Sequence, residues 1–254
     1  MDLLQRWQLK DSAKKQLLGK WGQMALKCFW STIIPLAIAW GIPILLGICF
    51  TIDNTGNLLG LDYHVGFIIW TVVLLIMPVL YIGAVIVALA LQFGFIDSCI
   101  KLRSGEDTSV GAIFGKFRML PKILLHLLIT ASLTSLPYMI VINLGFTFTD
   151  TIAIVLVFVS TLLFIYATLR MSMSIYIILE NPYTSVWTAI KQSWNMMHGH
   201  CLRYFILALS FLGWWLIVIL SFGIGIFWIV PYIQMTIVNF YYNVKEVCLY
   251  KNKE

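Results

Sequence analysis

Six stretches of about seventeen residues or more carry almost nothing but apolar side chains, at 28–50, 66–96, 123–146, 151–169, 204–220 and 226–242. Stretches of this length match the hydrocarbon thickness of a bilayer. Only a helix can span it there, because no water is present to satisfy the backbone. The expected fold is therefore all-α, a polytopic membrane helix bundle of six transmembrane helices. Composition excludes the alternative of one soluble core: 61% of the residues are hydrophobic and 11% charged, and the charged share is about half that of a soluble domain. A net charge of +6 would raise nucleic-acid binding in a soluble protein. Here the basic residues fall in particular loops, so no nucleic-acid partner is expected.

The loops separate by charge. Those expected outside hold Asp53, Asp62 and His64, then Asp150, then the tight turn 221–225, with no Lys or Arg among them. All 17 Lys and Arg lie on the other face, which the positive-inside rule makes cytosolic, with both termini on that side of the plasma membrane. Residues 1–27 mix Asp2, Arg6, Lys10, Asp11, Lys14, Lys15 and Lys20 with isolated apolar residues, which is not the layout of a signal peptide. Cys28, Cys49, Cys99, Cys201 and Cys248 show no C-x-x-C spacing, and only Cys49 nears the outer face, so no structural disulfide is expected.

The second and fourth apolar segments continue past the length a bilayer needs. Residues 86–96 and 171–179 are expected to tilt, kink or enter a cytosolic layer covered by other elements. Amphipathic helices are the expected cover. Asp11-Ser12 leading to Leu17-Leu18-Gly19-Lys20-Trp21 aligns without a gap on Asp107-Thr108 leading to Ile113-Phe114-Gly115-Lys116-Phe117, and more weakly on Thr184-Ser185 leading to Ile190 and Trp194. The acid or hydroxyl at each start suits a helix cap, and Ala13, Leu17 and Trp21 recur at about one helical turn. The chain reads as one integral membrane domain over 1–254, with candidate repeats at 11–102, 107–180 and 184–250. Each repeat would be an interfacial amphipathic helix on the cytosolic face followed by a transmembrane hairpin. The same pattern is also what any interfacial helix ahead of a span displays.

Ser193-Trp194-Asn195-Met196-Met197-His198-Gly199, the run from Phe205 to Trp215, Gly223-Ile224-Gly225, Pro231-Tyr232 and Phe240-Tyr241 follow a familiar pattern, as do Ala13, Leu17, Gly19 and Trp21. The chain resembles the bacterial integral-membrane family catalogued as domain of unknown function nine-seventy-five. That resemblance implies a multi-pass protein of the bacterial plasma membrane with no agreed activity and no catalytic residue to carry over. Residues 51–65 and the third span match no quoted part of the pattern.

Few groups at membrane depth are ionisable. Asp97 lies one turn before Lys101, a spacing for an interfacial ion pair more than for a proton relay. Arg170 is flanked by apolar sequence on both sides and reads as a functional candidate or as an inner-boundary anchor reaching headgroups. Glu180 precedes Asn181-Pro182, where a cap or turn role is expected. Gln92, Asn143 and several Ser and Thr residues could line a polar path or bond within the bundle, and the packing role is favoured. Trp214 and Trp215 fall about 16 Å along the helix from Arg203, at mid-depth, and suit packing or a hydrophobic ligand. His198-Gly199-His200-Cys201 lacks fixed ligand geometry, and phosphate-loop, zinc-protease and hydrolase motifs are missing, so neither cofactor nor metal is expected.

The reading that follows is a non-enzymatic, permease-like or membrane-organising protein that binds lipid, a small substrate or a partner. Its expected partners are the bilayer, anionic headgroups at the cytosolic face, and a membrane protein or peptide. Self-protection against a membrane-active bacteriocin is the alternative. A lipid-headgroup enzyme is a third reading, and it requires Arg170, Glu180 and His198 to converge.

Overall fold

A computed structural model describes residues 4–54, 63–106, 109–145 and 150–251. Asp62, Asp107 and Thr108 lie outside them, and with them most of the first outer loop and the start of the second aligned segment. Every regular element among the described residues is helical. In order they are α1 (Arg6–Leu17), α2 (Trp21–Asn54), α3 (Tyr63–Arg103), a 3-10 helix (Val110–Met119), α4 (Leu120–Gly145), α5 (Asp150–Met171), α6 (Ser174–Glu180), α7 (Val186–Met196), α8 (Cys201–Leu209), α9 (Leu212–Leu220) and α10 (Ile226–Lys251). Four helical runs among the described residues are long and apolar enough to cross a membrane: Met77–Arg103, Val110–Asn143, Ile154–Glu180 and Cys201–Leu220.

The core sits at one end of these runs. With 41 residues, α3 is about 60 Å long, twice the thickness of the hydrocarbon. Its second half buries Ala90, Leu91, Phe95, Cys99 and Leu102. The sequence beyond the fourth apolar segment turns at Ser172–Met173 and continues as α6, whose Ser174, Tyr176, Ile177, Ile178 and Leu179 are also buried. The 3-10 helix and α10 pack on the α3 continuation, α7 and α10 meet α6, and α1 lies against α10. By contrast Leu128, Leu136 and Ile140 of α4, Ile154, Phe158 and Leu163 of α5, and Leu216 and Ile219 of α9 are exposed. Within the apolar layer α2 packs along α3, and α4 along α5.

The C-terminal half of α10 ties the core together. Its Asn239 donates to Gln16 of α1 (2.9 Å) and accepts from Arg103 at the end of α3. Asn243 accepts from the Leu4 amide (3.2 Å), and Tyr241 and Lys245 both reach Glu180 of α6. These long-range polar bonds select one arrangement of helices that apolar packing alone would leave loosely specified.

Several elements depart from the sequence expectation. Asp11 does not cap the first amphipathic helix. That helix begins upstream at Arg6, where the Gln8 side chain accepts from the Gln5 amide (2.7 Å), and Asp11 instead pairs with Lys15 one turn on (2.7 Å). Its buried face is Leu9, Ala13 and Leu17, and the turn at Gly19, with φ +78°, separates Trp21 into α2. The second aligned segment, whose expected cap at Asp107-Thr108 lies outside the described residues, forms a 3-10 helix, and the third, α7, is capped as expected, by Ser185 accepting from the Thr188 amide (3.2 Å). The fifth apolar segment is not one continuous helix: it breaks at Ser210–Phe211 into α8 and α9. There the Ser210 hydroxyl donates to the Leu207 carbonyl (2.6 Å) and the Phe211 amide to Ala208 (3.1 Å), a tightened turn that takes carbonyls out of the α-helical ladder. The tight turn at 221–225 forms as expected, with Phe222 and Gly223 at positive φ and the Gly225 amide donating to the Ser221 hydroxyl (2.8 Å).

Candidate functional site

The residues singled out in the sequence do not form one site. Asp97 is buried in α3 and its carboxylate lies 3.2 Å from the Lys101 amine. Gln92 reaches from α3 toward the Ser31 carbonyl of α2 (3.5 Å), and Asn143 donates to the Met139 carbonyl of its own helix (2.8 Å). Trp214 packs edge-on against Tyr232 of α10, whereas Trp215 is exposed on the apolar surface. Glu180 is the last residue of α6, where the sequence places a helix stop. Its carboxylate is a tertiary anchor, accepting from Tyr241 (2.6 Å) and Lys245 (2.5 Å).

Arg170 is also placed otherwise than a headgroup anchor would be. It is 4% exposed, with its guanidinium 4.5 Å above the Trp194 ring of α7 and one amine donating to the Tyr166 hydroxyl (2.7 Å). Ser193, beside Trp194, donates to the Arg170 carbonyl (2.8 Å) and accepts from the Met173 amide (3.2 Å), which locks the turn between α5 and α6 onto α7. Among the described residues no carboxylate meets this cation. Its charge is held by aromatic faces. No hydrogen bond or ion pair among the described residues joins Arg170, Glu180 and His198.

Two clefts with polar residues in their walls open on the layer that holds the core. One, of about 680 Å³, lies between α7 and α10 and is lined by Gln192, Asn195, His198, His200, Tyr241 and Lys245 among others. The Cys201 thiol beside it donates to the Met197 carbonyl (3.2 Å). Among the described residues no group of three or more His, Cys, Asp and Glu side chains is placed to hold a metal ion.

The other cleft, of about 610 Å³, lies between α1 and α8 and is lined by Gln5, Arg6, Trp7, Lys10, Arg203, Ile206 and Ser210. Ser210, at the break in the fifth apolar segment, is part of its wall. The Ser210 carbonyl at that break accepts from the Lys10 amine (3.1 Å), which also sits 4.3 Å from the centre of the Phe211 ring. Arg203 donates to the Leu4 carbonyl (2.6 Å). Burial, followed by the neighbouring charges of Arg6 and Lys14, pushes the Lys10 amine below the usual lysine range. Each of these basic residues was read in the sequence only as part of a charged face. What marks them as a group is packing between distant segments, which residue spacing does not carry. The same is true of His126, buried in α4 with its Nε2 2.6 Å from the Ser174 hydroxyl.

No curated protein and no solved structure matches the chain. Over residues 1–247 it matches the family described as Protein of unknown function (DUF975), with α1, the cleft between α1 and α8 and the Arg170 contacts inside the matched region. With nearly its whole length covered, the chain is a member of that family.

Proposed function

We propose that this is a non-enzymatic, multi-pass protein of the plasma membrane, with six spans arranged as three hairpins and both termini cytosolic, that organises lipid through its inner layer. The observation that carries this reading is where the polar groups of the spans direct their hydrogen bonds. Thr130, Thr134, Ser135, Asn143, Ser160 and Thr161 each donate to a carbonyl three or four residues back in their own helix. Side chains satisfied in this way present apolar surface to their surroundings, which favours lipid contact over a polar conduction path. Polar surface able to take a ligand is then concentrated in the inner layer, where the basic residues also gather.

The test is native mass spectrometry of the protein from nanodiscs, together with solute flux in proteoliposomes. Retained lipid adducts without flux above empty vesicles are the expected outcome; flux of a small solute with no lipid retained refutes it. Thiol labelling of Ser104→Cys and of a cysteine added at the C-terminus, from the cytosolic side alone, checks the orientation.

A further inference from the structure

We propose that the cleft between α1 and α8 is a binding site for a phosphate-bearing anion, with Arg6, Lys10 and Arg203 as its charge-recognising groups. This deepens the lipid-organising reading and rests on it for the identity of a lipid ligand. The argument begins with charge. Three cationic side chains line one cleft, and no carboxylate is among its lining residues. The nearest acid on α1, Asp11, is paired with Lys15. Cations gathered without a counter-ion repel one another, and a bound anion removes that repulsion.

The second step is that these groups are held in place. Lys10 and Arg203 each give one donor to a backbone carbonyl, Ser210 and Leu4 respectively, so neither has been neutralised and both are fixed. Arg203 Nη1 is enclosed by protein and meets no acceptor among the described residues. A guanidinium nitrogen buried without a partner leaves the Arg203 charge undercompensated, and an oxyanion held in the cleft offsets that charge. A guanidinium and an ammonium together provide more donors than a single carboxylate uses, and a phosphate, with several non-ester oxygens, matches them better.

The third step concerns the rest of the ligand. Trp7 stands exposed at the rim with its indole N–H on Gln5 (2.8 Å), and Ile206 supplies an apolar wall. Indole rings of this kind sit where headgroup meets acyl chain. The cleft opens beside α8 and α9, whose Leu209, Leu212 and Leu216 are exposed and would run alongside an acyl chain. A phospholipid headgroup therefore fits the whole site, and inorganic phosphate fits only its charged part.

The test compares the full-length protein with two variants of equal charge loss. One is Arg6→Gln, Lys10→Gln, Arg203→Gln in the cleft. The other is Arg118→Gln, Lys122→Gln, Lys191→Gln elsewhere on the basic residues. Each is placed in phosphatidylcholine nanodiscs with and without phosphatidylglycerol, and retained lipid is read by native mass spectrometry. Retention of a phosphatidylglycerol adduct by wild type and control, with at least a tenfold loss in the cleft variant, supports a lipid headgroup. A thermal shift of wild type but not of the cleft variant with inorganic phosphate, without the lipid adduct, supports the site with a soluble ligand. Equal loss in both variants, or in neither, overturns the proposal. The Arg6 side chain makes no hydrogen bond or ion pair among the described residues, so Arg6→Gln alone should keep the fold, and it should weaken retention in its own right. If wild type retains no lipid at all, the lipid-organising reading fails, while the phosphate arm still decides the cleft.

Discussion

At Gly94 α3 lies directly against the backbone of the 3-10 helix, and replacing it by alanine probes how the packed layer is assembled. A Cβ at this position would stand 2.0 Å from the Ile113 carbonyl oxygen, 2.7 Å from its carbon and 2.8 Å from its Cα. All three atoms are backbone, so no side chain can rotate away. Restoring ordinary contact beyond 3.4 Å requires the two segments to part by about 1.4 Å. That movement would open the packing around Ile113, which is fully buried. Overpacking costs about 1–3 kcal/mol and occasionally more, and the clash with rigid backbone places this case at the upper end, about 3 kcal/mol. For a chain of this size each kcal/mol moves the melting temperature by about 2–4 °C, so Gly94→Ala should melt about 6–12 °C below wild type. Gly83→Ala in the same helix is the control: its Cβ meets nothing within 4 Å, and alanine gains up to about 1 kcal/mol of helix propensity. Thermal unfolding of both variants in one detergent reads the difference. Equal melting of Gly94→Ala and wild type refutes the close contact. An equal fall in both variants would instead make it a general response of α3 to alanine.

Three further outcomes follow from the same contacts. Glu180→Ala strands both the Tyr241 hydroxyl and the Lys245 amine and should cost about 2 kcal/mol, while Glu180→Gln keeps the tyrosine bond and loses less; equal drops in denaturant midpoint would contradict this. Arg170→Lys loses the stacked, planar contact over Trp194 and should destabilise by about 1–2 kcal/mol, whereas Arg170→Met, which removes a buried charge that meets no carboxylate, should be near neutral. A lysine variant more stable than the methionine variant would show that the charge itself matters. Lys10 is held below the ordinary lysine range, so the folded state binds its proton less tightly than the unfolded state. The unfavourable contribution is fully present at neutral pH and is relieved as pH rises through the folded value toward 10.5. Wild type should therefore gain stability relative to Lys10→Gln between neutral pH and that point, read as the difference between their melting temperatures across pH, and a difference that stays flat would count against the crowded cleft.

The regular part of this fold was legible because it is written locally. Apolar runs and i,i+4 charges each need only a short window of sequence, which is why the described apolar segments are helical and why Asp97 lies beside Lys101 as its spacing implied. The surplus apolar length after the second and fourth segments was informative for the same reason: a helix too long for the bilayer must be covered by protein, and Phe95 and Ile178 are. What could not be read was anything that depends on a partner far along the chain. Arg170 has the sequence surroundings of a boundary anchor, and only the arrival of Trp194 on α7 makes burial tolerable. Glu180 has those of a helix terminator, and only α10 turns it into an anchor. The phosphate cleft is the extreme case. Its two tethers, Arg203 to Leu4 and Lys10 to Ser210, join residues separated by 199 and 200 positions. One of the accepting carbonyls is free only because α8 ends at a serine that closes on its own backbone, with neither proline nor glycine at that point to announce the break. The charge of the face can be counted from composition, but turning that charge into a site takes a helix break and a docked N-terminal helix together, and each is set by contacts outside the window that holds the cations.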